Sequence, residues 1–280
     1  FNDKSKIKQI MEDDSVQAIF ITTPTLTHFE LVSLSLTNSK HVFVEKPLVD
    51  SLDQINQCFE LANSKNRVLF VGYNRRFDKK LMDVKKRLEN KEIGNVNYAQ
   101  TISRDYPYPT KEYLKISSGI FHDCATHDID YMNWLLNDKP ISVYVHGSDD
   151  VNDYNFDHVC INLKYSLGTL VIINLSRISS NYDQRCEFYG DKGEILNNEF
   201  IPNVKDSFPQ RYAQAFISEV ESFGKCILDK KQPSVTLEDC INNHIIAEAC
   251  QDSFNKSSKV TIKYSDCLLY TSDAADDWFC

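Results

Sequence analysis

The sequence lacks the features of membrane, secreted and nucleic-acid-binding proteins. No apolar run approaches the roughly 20 residues that span a bilayer, and the opening FNDKSKIKQIMEDD matches neither a signal peptide nor a transit sequence. The 31 basic and 40 acidic residues give a formal charge of −9, whereas phosphate binding needs an excess of clustered Lys and Arg. These absences predict a protein that has no membrane or nucleic-acid partner and acts on a small molecule.

The nine cysteines include no CxxC pair, so we expect neither a disulfide framework nor a zinc site. Cysteines scattered in this way are typical of small buried side chains in a reducing compartment. The sequence therefore predicts a cytoplasmic protein without a bound metal.

Strand and helix patterns alternate with short links through the first third of the chain. Apolar runs typical of buried parallel strands occur at residues 16–22, 41–44 and 67–72, with amphipathic helices between them. Ser51 and Gln54 have the spacing of a helix capping box. This alternation predicts a doubly wound α/β domain with a parallel sheet, which we assign to residues 1–94.

After Gly94 the pattern changes to longer β segments around a few strong helices. The predicted strands are residues 96–103, 141–145, 158–165, 170–176, 186–189 and 194–196, and the predicted helices are residues 120–136, 210–228 and 237–254. This order predicts a second, α+β domain with a largely antiparallel open sheet over residues 95–266. Residues 267–280, which contain CLLYTSDAADD, resemble a translated sequencing adapter and are interpreted as an artefact.

A dinucleotide-binding sheet carries a GxGxxG turn after its first strand, and no such motif occurs among the eight glycines of this chain. Our interpretation is a partial Rossmann domain that lacks about 60 residues, roughly two strand-helix units, before Phe1. The alternative is a domain that never bound a nucleotide.

The first candidate for chemistry is the segment TTPTLTH, which follows the first predicted strand. In an open α/β sheet, ligands lie beyond the carboxyl ends of the strands, where hydroxyls and free N–H groups of such a turn can contact them. The alternative is a plain strand-to-helix turn capped by Thr27.

The second candidate is Glu45-Lys46-Pro47, at the end of the next strand. Pro47 disfavours a helical conformation at Lys46, and a lysine held there can donate a hydrogen bond to a substrate hydroxyl or take part in proton transfer. The alternative is an ordinary surface pair of Lys46 with Glu45.

The third candidate is the pair Asp123 and His127, four residues apart on a predicted helix. Histidine accepts a proton near neutral pH, and a carboxylate on the same helix face can orient it and favour its charged form. Oxidation of an alcohol by hydride loss requires such a base. The alternative is an ordinary polar pair on a solvated face, but the apolar neighbours of this helix favour burial.

In this order the segments TTPTLTH, HVFVEKPL, VGYNRRFD, SRD, SSGIFHDCATHDIDYMNWLL and YGDKGEI resemble the Gfo/Idh/MocA oxidoreductases, and among them the inositol 2-dehydrogenase-like members. The resemblance covers about residues 1–264. It implies a Rossmann domain followed by a domain whose open sheet serves as a homo-oligomer interface. It also implies catalytic Lys46, Asp123 and His127. The implied nicotinamide-side residues are Thr23, Pro24, Thr25, His28, Glu45 and Lys46. The implied polyol-binding residues are Arg76, Ser103, Asp105 and Tyr182.

The resemblance implies NAD-dependent oxidation of a secondary hydroxyl of a cyclic polyol or sugar, with NADP as the other choice of cofactor. Two alternatives remain open at this point. One is a trans-dihydrodiol or aldose dehydrogenase of the same family. The other is a non-catalytic sensor that binds a nucleotide or a sugar.

Overall fold

The first part of the chain forms a three-stranded parallel sheet with the order β1-β2-β3. The computed structural model describes residues 4–148, 158–197 and 208–264, so the predicted artefact at residues 267–280 lies outside it. The strands are β1 (Ala18–Ile21), β2 (His41–Glu45) and β3 (Leu69–Gly72). The helices of this part are α1 (Lys4–Glu12), α2 (His28–Thr37) and α3 (Leu52–Ser64).

Apolar side chains pack on both faces of this sheet, as its continuous apolar strands predict, although Phe20 on β1 remains 50% exposed. One face packs on α2 and α3. On the other face, Phe20, Phe43 and Phe70 lie side by side across the three strands because the strands are in register. Phe223, from a helix late in the chain, packs against all three rings at centroid distances of 5.4 to 5.8 Å.

The second sheet has seven strands in the order β10-β5-β6-β7-β4-β8-β9. Its strands are β4 (Val96–Arg104), β5 (Pro140–Ser148), β6 (His158–Tyr165), β7 (Leu170–Ser176), β8 (Asp183–Gly190), β9 (Gly193–Asn197) and β10 (Val260–Thr261). Among the described strands, β4 and β7 form the one parallel pair of this sheet. The predicted hairpin between β6 and β7 is present, and Gly168 at its turn has the positive φ of +100° that favours glycine.

The remaining described helices are α4 (Lys79–Glu89), α5 (Lys111–Ile116), α6 (Thr126–Leu136), α7 (Phe208–Arg211), α8 (Ala213–Leu228) and α9 (Leu237–Lys256). Of these, α4, α6 and α9 pack on the seven-stranded sheet. Buried side chains alternate with more exposed ones along β6 and β7, so the opposite face of the sheet is open. Within residues 4–148, 158–197 and 208–264, no helix is long and apolar enough to cross a membrane. The predicted fold class, a Rossmann-type parallel sheet followed by a largely antiparallel sheet, is confirmed.

The predicted helix over residues 120–136 is present, but its first part, Ile120–Ala125, is a π-helical turn and it becomes α-helical at Thr126. The predicted capping box at residue 51 is wrong, because Ser51 precedes α3 without a capping hydrogen bond from its side chain. The capping box of the structure joins Thr236 and Asp239 at the start of α9.

Candidate active site

Three turns meet beyond the carboxyl ends of β1, β2 and β3, because parallel strands in register end at the same edge of their sheet. His28, which is 1% exposed, joins the first two turns. Its Nε2 lies 2.8 Å from the carbonyl oxygen of Thr23, and its Nδ1 lies 3.0 Å from that of Pro47. The threonine turn and the EKP turn therefore form one unit.

Lys46 lies at the tip of β2 and contacts Asp123 of the π-helical turn. Its Nζ donates to the backbone oxygen of Asp123 at 2.7 Å and to its Oδ1 at 3.0 Å. The phenol of Tyr113, from α5, donates to the other carboxylate oxygen, Oδ2, at 2.8 Å. An ammonium has three donors, so Lys46 keeps one N–H beyond these two bonds.

The Asp123 carboxylate is stabilised in its charged form although it is buried. Burial pushes its pKa up, but the Lys46 ammonium, the Tyr113 hydrogen bond and the Arg177 guanidinium outweigh this effect. The pKa of Asp123 therefore lies below its ordinary value. The Lys46–Asp123 ion pair is present across the neutral pH range.

His127, the second residue of α6, is a buried neutral base. Its imidazole is 8% exposed, and among the described residues its Nδ1 has no hydrogen-bond partner. Burial, followed by the charges of Lys46 and Arg75, holds the pKa of His127 well below its ordinary value. The side chain is therefore uncharged at neutral pH and can accept a proton.

Arg75 follows β3 and supplies the second cation. Its Nη1 lies 3.1 Å from Oδ1 of Asp128, and its guanidinium lies 5.6 Å from the centre of the Tyr131 ring. Asp128 also accepts hydrogen bonds from the hydroxyls of Thr101 and Ser103 at 2.8 and 2.6 Å. These bonds fix Asp128 and, through it, Arg75.

The parallel pair β4 and β7 supplies a third cation and a third carboxylate. Asp105 and Arg177 follow the two strands directly, and the Asp105 N–H donates to the carbonyl of Ser176 at 2.9 Å. Arg177 is 1% exposed, and none of its guanidinium nitrogens has a hydrogen-bond partner within the described residues. Burial raises the pKa of Asp105, and the charges of Arg75 and Arg177 offset this only in part.

The site thus combines three cations (Lys46, Arg75 and Arg177) with three carboxylates (Asp105, Asp123 and Asp128) and a neutral imidazole. A free N–H of Lys46 can hold a hydroxyl group, and His127 can take its proton. Among the residues that the structure describes, no group of three His, Cys, Asp or Glu side chains could hold a metal ion.

Comparison with protein families finds two matching profiles along the chain. Residues 1–73 match the Gfo/Idh/MocA profile described as "Oxidoreductase family, NAD-binding Rossmann fold". Residues 85–262 match the companion profile, "Oxidoreductase family, C-terminal alpha/beta domain". The chain belongs to the Gfo/Idh/MocA oxidoreductase family. The predicted family, the oxidoreductase class and the use of NAD are confirmed, and this favours an enzyme over the sensor alternative.

Several Gfo/Idh/MocA proteins similar to this chain act on inositols by name. The myo-inositol 2-dehydrogenase of Thermotoga maritima is 30% identical over 91% of this chain and 82% of its own length. The scyllo-inositol 2-dehydrogenase (NAD(+)) of Bacillus subtilis is 30% identical over 91% and 80%. A crystal structure of a myo-inositol dehydrogenase from Corynebacterium glutamicum superposes with a TM-score of 0.82, at 28% identity over 92% of this chain and 84% of that one.

The structure brings the three predicted catalytic residues of this Gfo/Idh/MocA chain together but pairs them differently. The sequence predicts that Asp123 orients His127. In the structure, Oδ1 of Asp123 accepts from Lys46 and Oδ2 accepts from Tyr113. The reason is the π-helical turn. In an α-helix, residues four positions apart lie on the same face, but the i→i+5 hydrogen bonding of a π-helix rotates Asp123 away from the face of His127. The imidazole is also kept neutral rather than charged.

The predicted nicotinamide-side residues lie at one edge of the parallel sheet. Thr23 bonds through its hydroxyl to that of Thr27 at 2.6 Å, and the Pro24 carbonyl accepts from the Thr27 hydroxyl at 2.8 Å. Thr25 begins a short 3₁₀ turn. Glu45 is largely buried, and burial raises its pKa although the charge of Lys46 lowers it.

Two of the predicted polyol-binding residues, Arg76 and Ser103, already form hydrogen bonds within the protein. Arg76 does not carry a free guanidinium: it bonds to Asp130 at 2.9 and 2.7 Å and to the carbonyl of Ser234 at 2.6 Å. Ser103 is occupied by Asp128. These contacts give Arg76 and Ser103 a structural role. The ring of Tyr182 packs edge-on against Phe208 and Tyr212, both at 6.3 Å.

Three residues of the site were missed by the sequence analysis: Arg75, Tyr113 and Arg177. Arg75 stands beside Arg76 in NRRFD. The motif therefore indicates an arginine in the site, but the sequence does not indicate which of the two it is. Arg177 directly follows a predicted strand. Such a position is typical of site residues when the strand has a parallel neighbour, and the sequence analysis did not predict that pairing. Tyr113 lies in a segment without a recognisable motif.

Proposed function

We propose that the protein oxidises a secondary hydroxyl of a neutral cyclic polyol of the inositol class, with NAD⁺ as hydride acceptor. The observation that carries this proposal is the Lys46–Asp123 ion pair beside the neutral, buried His127. The inositol dehydrogenases to which the chain is similar support the choice of substrate class.

In this reaction Lys46 uses its remaining N–H to hold the reacting hydroxyl, and His127 takes the hydroxyl proton. Asp123 holds Lys46 in place through their ion pair. When bound, NAD⁺ would accept the hydride that leaves the carbinol carbon. The ketone leaves, and the proton on His127 passes to solvent, which regenerates the neutral base.

The groups at the edge of the parallel sheet fit the nicotinamide side of NAD. They combine threonine hydroxyls, the carboxylate of Glu45 and the ammonium of Lys46, a donor and acceptor set suited to an amide and to ribose hydroxyls. We propose Thr23, Pro24, Thr25, Glu45 and Lys46 for this role. His28 acts behind them by joining the two turns.

The balance of charge in the site favours an uncharged substrate. Three cations face three carboxylates, so a substrate carboxylate would add an unpaired charge to a buried site, which is costly. A polyol offers only hydroxyls, which can both donate and accept. We propose Arg75, Asp105 and Tyr182 as the residues that contact it, with Arg75 in place of Arg76.

The test is NAD-linked absorbance at the reduced-nicotinamide band, measured on the protein expressed from the gene that encodes this sequence. The panel contains myo-inositol, scyllo-inositol, glucose, a uronic acid and a trans-dihydrodiol. We expect turnover with an inositol and none with the uronic acid. Turnover confined to the dihydrodiol or to glucose would replace the inositol proposal by the alternative within the family.

We further propose that copies of the chain associate through the open face of the seven-stranded sheet. On β7, Leu170 is 52% exposed and precedes the buried Val171, so the two side chains point to opposite faces. Leu170→Lys should lower the molecular mass measured by light scattering. Leu167→Lys, at the 82% exposed hairpin position outside this face, is the control and should leave the mass unchanged.

We also propose a cytoplasmic location. All seven cysteines of the described residues are free thiols, which is typical of a reducing compartment. Fractionation of cells that carry a tagged copy tests this, and recovery in an oxidising compartment would contradict it.

A further inference from the structure

Tyr113 connects the protein surface to the candidate catalytic carboxylate. The residue is 45% exposed, yet its hydroxyl lies 2.8 Å from Oδ2 of the buried Asp123. Burial and the negative charge of Asp123 raise the pKa of Tyr113. The phenol therefore stays protonated and acts as a donor at every pH at which the protein works.

The helix that carries Tyr113 is short. Helix α5 has six residues and is capped by Thr110, whose hydroxyl accepts from the Tyr113 N–H at 3.2 Å. Leu114 is the buried residue of this helix. The bond from Tyr113 to Asp123 therefore links α5 directly to the site.

The two carboxylate oxygens of Asp123 have different donors. Lys46 bonds only to Oδ1 and to the backbone oxygen, and Tyr113 bonds to Oδ2. A carboxylate whose Oδ2 lost its donor would be free to turn and would loosen its hold on Lys46.

We propose that Tyr113 is a positioning residue that directs the Asp123 carboxylate toward Lys46. This inference rests on the proposed function, in which Lys46 holds the reacting hydroxyl. Tyr113 does not itself touch the reacting atoms.

The sign of the expected pH effect follows from all groups that face Asp123. They are Lys46 beyond β2, Tyr113 on α5, Arg177 beyond β7, Asp105 beyond β4 and the adjacent Cys124. Removing the phenol takes away one of the groups that lower the pKa of Asp123, so that pKa rises. This rise moves the acid limb of activity to higher pH.

The first experiment compares wild type with Tyr113→Phe, which removes one oxygen atom and little else. We expect kcat to fall roughly 10-fold, the usual effect of losing a hydrogen bond to a charged group. The acid limb of kcat/KM should move up by about one pH unit. Tyr264→Phe is the matched control, because it removes a hydroxyl that bonds to the carbonyl of Pro140 at 2.6 Å, and its pH profile should not move.

The second experiment follows Asp123 without turnover or cofactor. The protein is labelled with ¹³Cγ-aspartate, and the Asp123 signal is assigned by its loss in Asp123→Asn. Position 113 carries phenylalanine, tyrosine or 3,5-difluorotyrosine, which have nearly the same shape but donate with increasing strength. We expect the pKa of Asp123 to fall in that order. If Tyr113→Phe does not fold, the comparison of the two tyrosines still decides the matter.

The outcomes separate this inference from the proposed function. Wild-type turnover with the same Asp123 titration in all three proteins would overturn the role of Tyr113 alone. A profile of Tyr113→Phe that loses kcat without a shift of its acid limb would do so too. Ordered titrations without wild-type turnover on the panel would support the coupling of Tyr113 to Asp123 and refute the reaction proposed above.

Discussion

Glu219→Gln should stabilise the protein, and the gain should grow as the pH rises above about 5. Glu219 lies on α8 and is 0% exposed, and among the described residues neither of its carboxyl oxygens has a hydrogen-bond partner. Burial, with a further contribution from the charge of Glu45, raises the pKa of Glu219 to about 9. The folded protein therefore holds this side chain in its protonated form at neutral pH.

The magnitude follows from proton linkage. The folded-state pKa of Glu219 is raised from 4.5 to about 9, so between these values the unfolded chain releases a proton that the folded chain keeps. The contribution of Glu219 to the free energy of unfolding is fully present below pH 4.5. Above that pH it falls by about 1.4 kcal/mol per pH unit. The fall ends once Glu219 ionises in the folded protein as well. At pH 7 the accumulated loss is about 3 kcal/mol. A glutamine has nearly the same shape and does not titrate, so the variant escapes this loss.

The assay is urea denaturation at pH 5, 6, 7 and 8, with the free energy of unfolding compared between wild type and variant. We expect near equality at pH 5 and a difference of a few kcal/mol at pH 8. Glu221→Gln, two positions later on the same helix and exposed to solvent, controls for the loss of a negative charge. Parallel pH curves for wild type and Glu219→Gln would refute the reasoning, because they would mean that Glu219 is ionised or solvated in the folded state.

Three further predictions address the active site and the framework around it. His127→Ala should lower kcat by roughly 10² to 10⁴, the usual contribution of a general base, while circular dichroism shows an unchanged fold. Gly190→Ala should destabilise the protein by about 3 kcal/mol in urea denaturation, because the added Cβ would lie 2.0 Å from the carbonyl oxygen of Ile93. Thr236→Ala should cost about 1 kcal/mol in the same assay, since it removes one half of the capping box at α9.

Most of the fold could be predicted because it depends on patterns that the sequence carries locally. The continuous apolar runs indicate the buried parallel strands β1 to β3, and the longer alternating segments indicate the antiparallel sheet. Leu167-Gly168 marks the β6–β7 hairpin because Gly168 occupies a turn position with positive φ. The parallel pairing of β4 with β7 could not be predicted in this way, because these strands are separated by β5 and β6 in the chain and pairing order has no local signal.

The site could be predicted in part, for the same reason. Glu45-Lys46-Pro47 and the Asp123–His127 pair are recognisable as motifs, and the structure brings them together across 77 residues of chain. The π-helical turn could not be predicted, because the apolar spacing of a single turn does not distinguish i→i+4 from i→i+5 hydrogen bonding. That one turn decides which partner Asp123 takes. The same limit applies to Arg75 and Arg76, since neighbouring side chains in a short 3₁₀ turn point in different directions.

The balance of charge explains why the site is held by so many long-range contacts. Asp123 keeps its charge because Lys46 and Arg177, from two different sheets, and the phenol of Tyr113 together outweigh the effect of burial. Asp128 is engaged by Arg75 from the first sheet. His127 stays neutral because two of these cations, Lys46 and Arg75, face it in a buried setting. A neutral base next to a fixed ammonium is the condition that alcohol oxidation requires. The groups that meet this condition come from both parts of the chain. Lys46 and Arg75 follow strands of the parallel sheet, whereas the carboxylates and the imidazole belong to the second part.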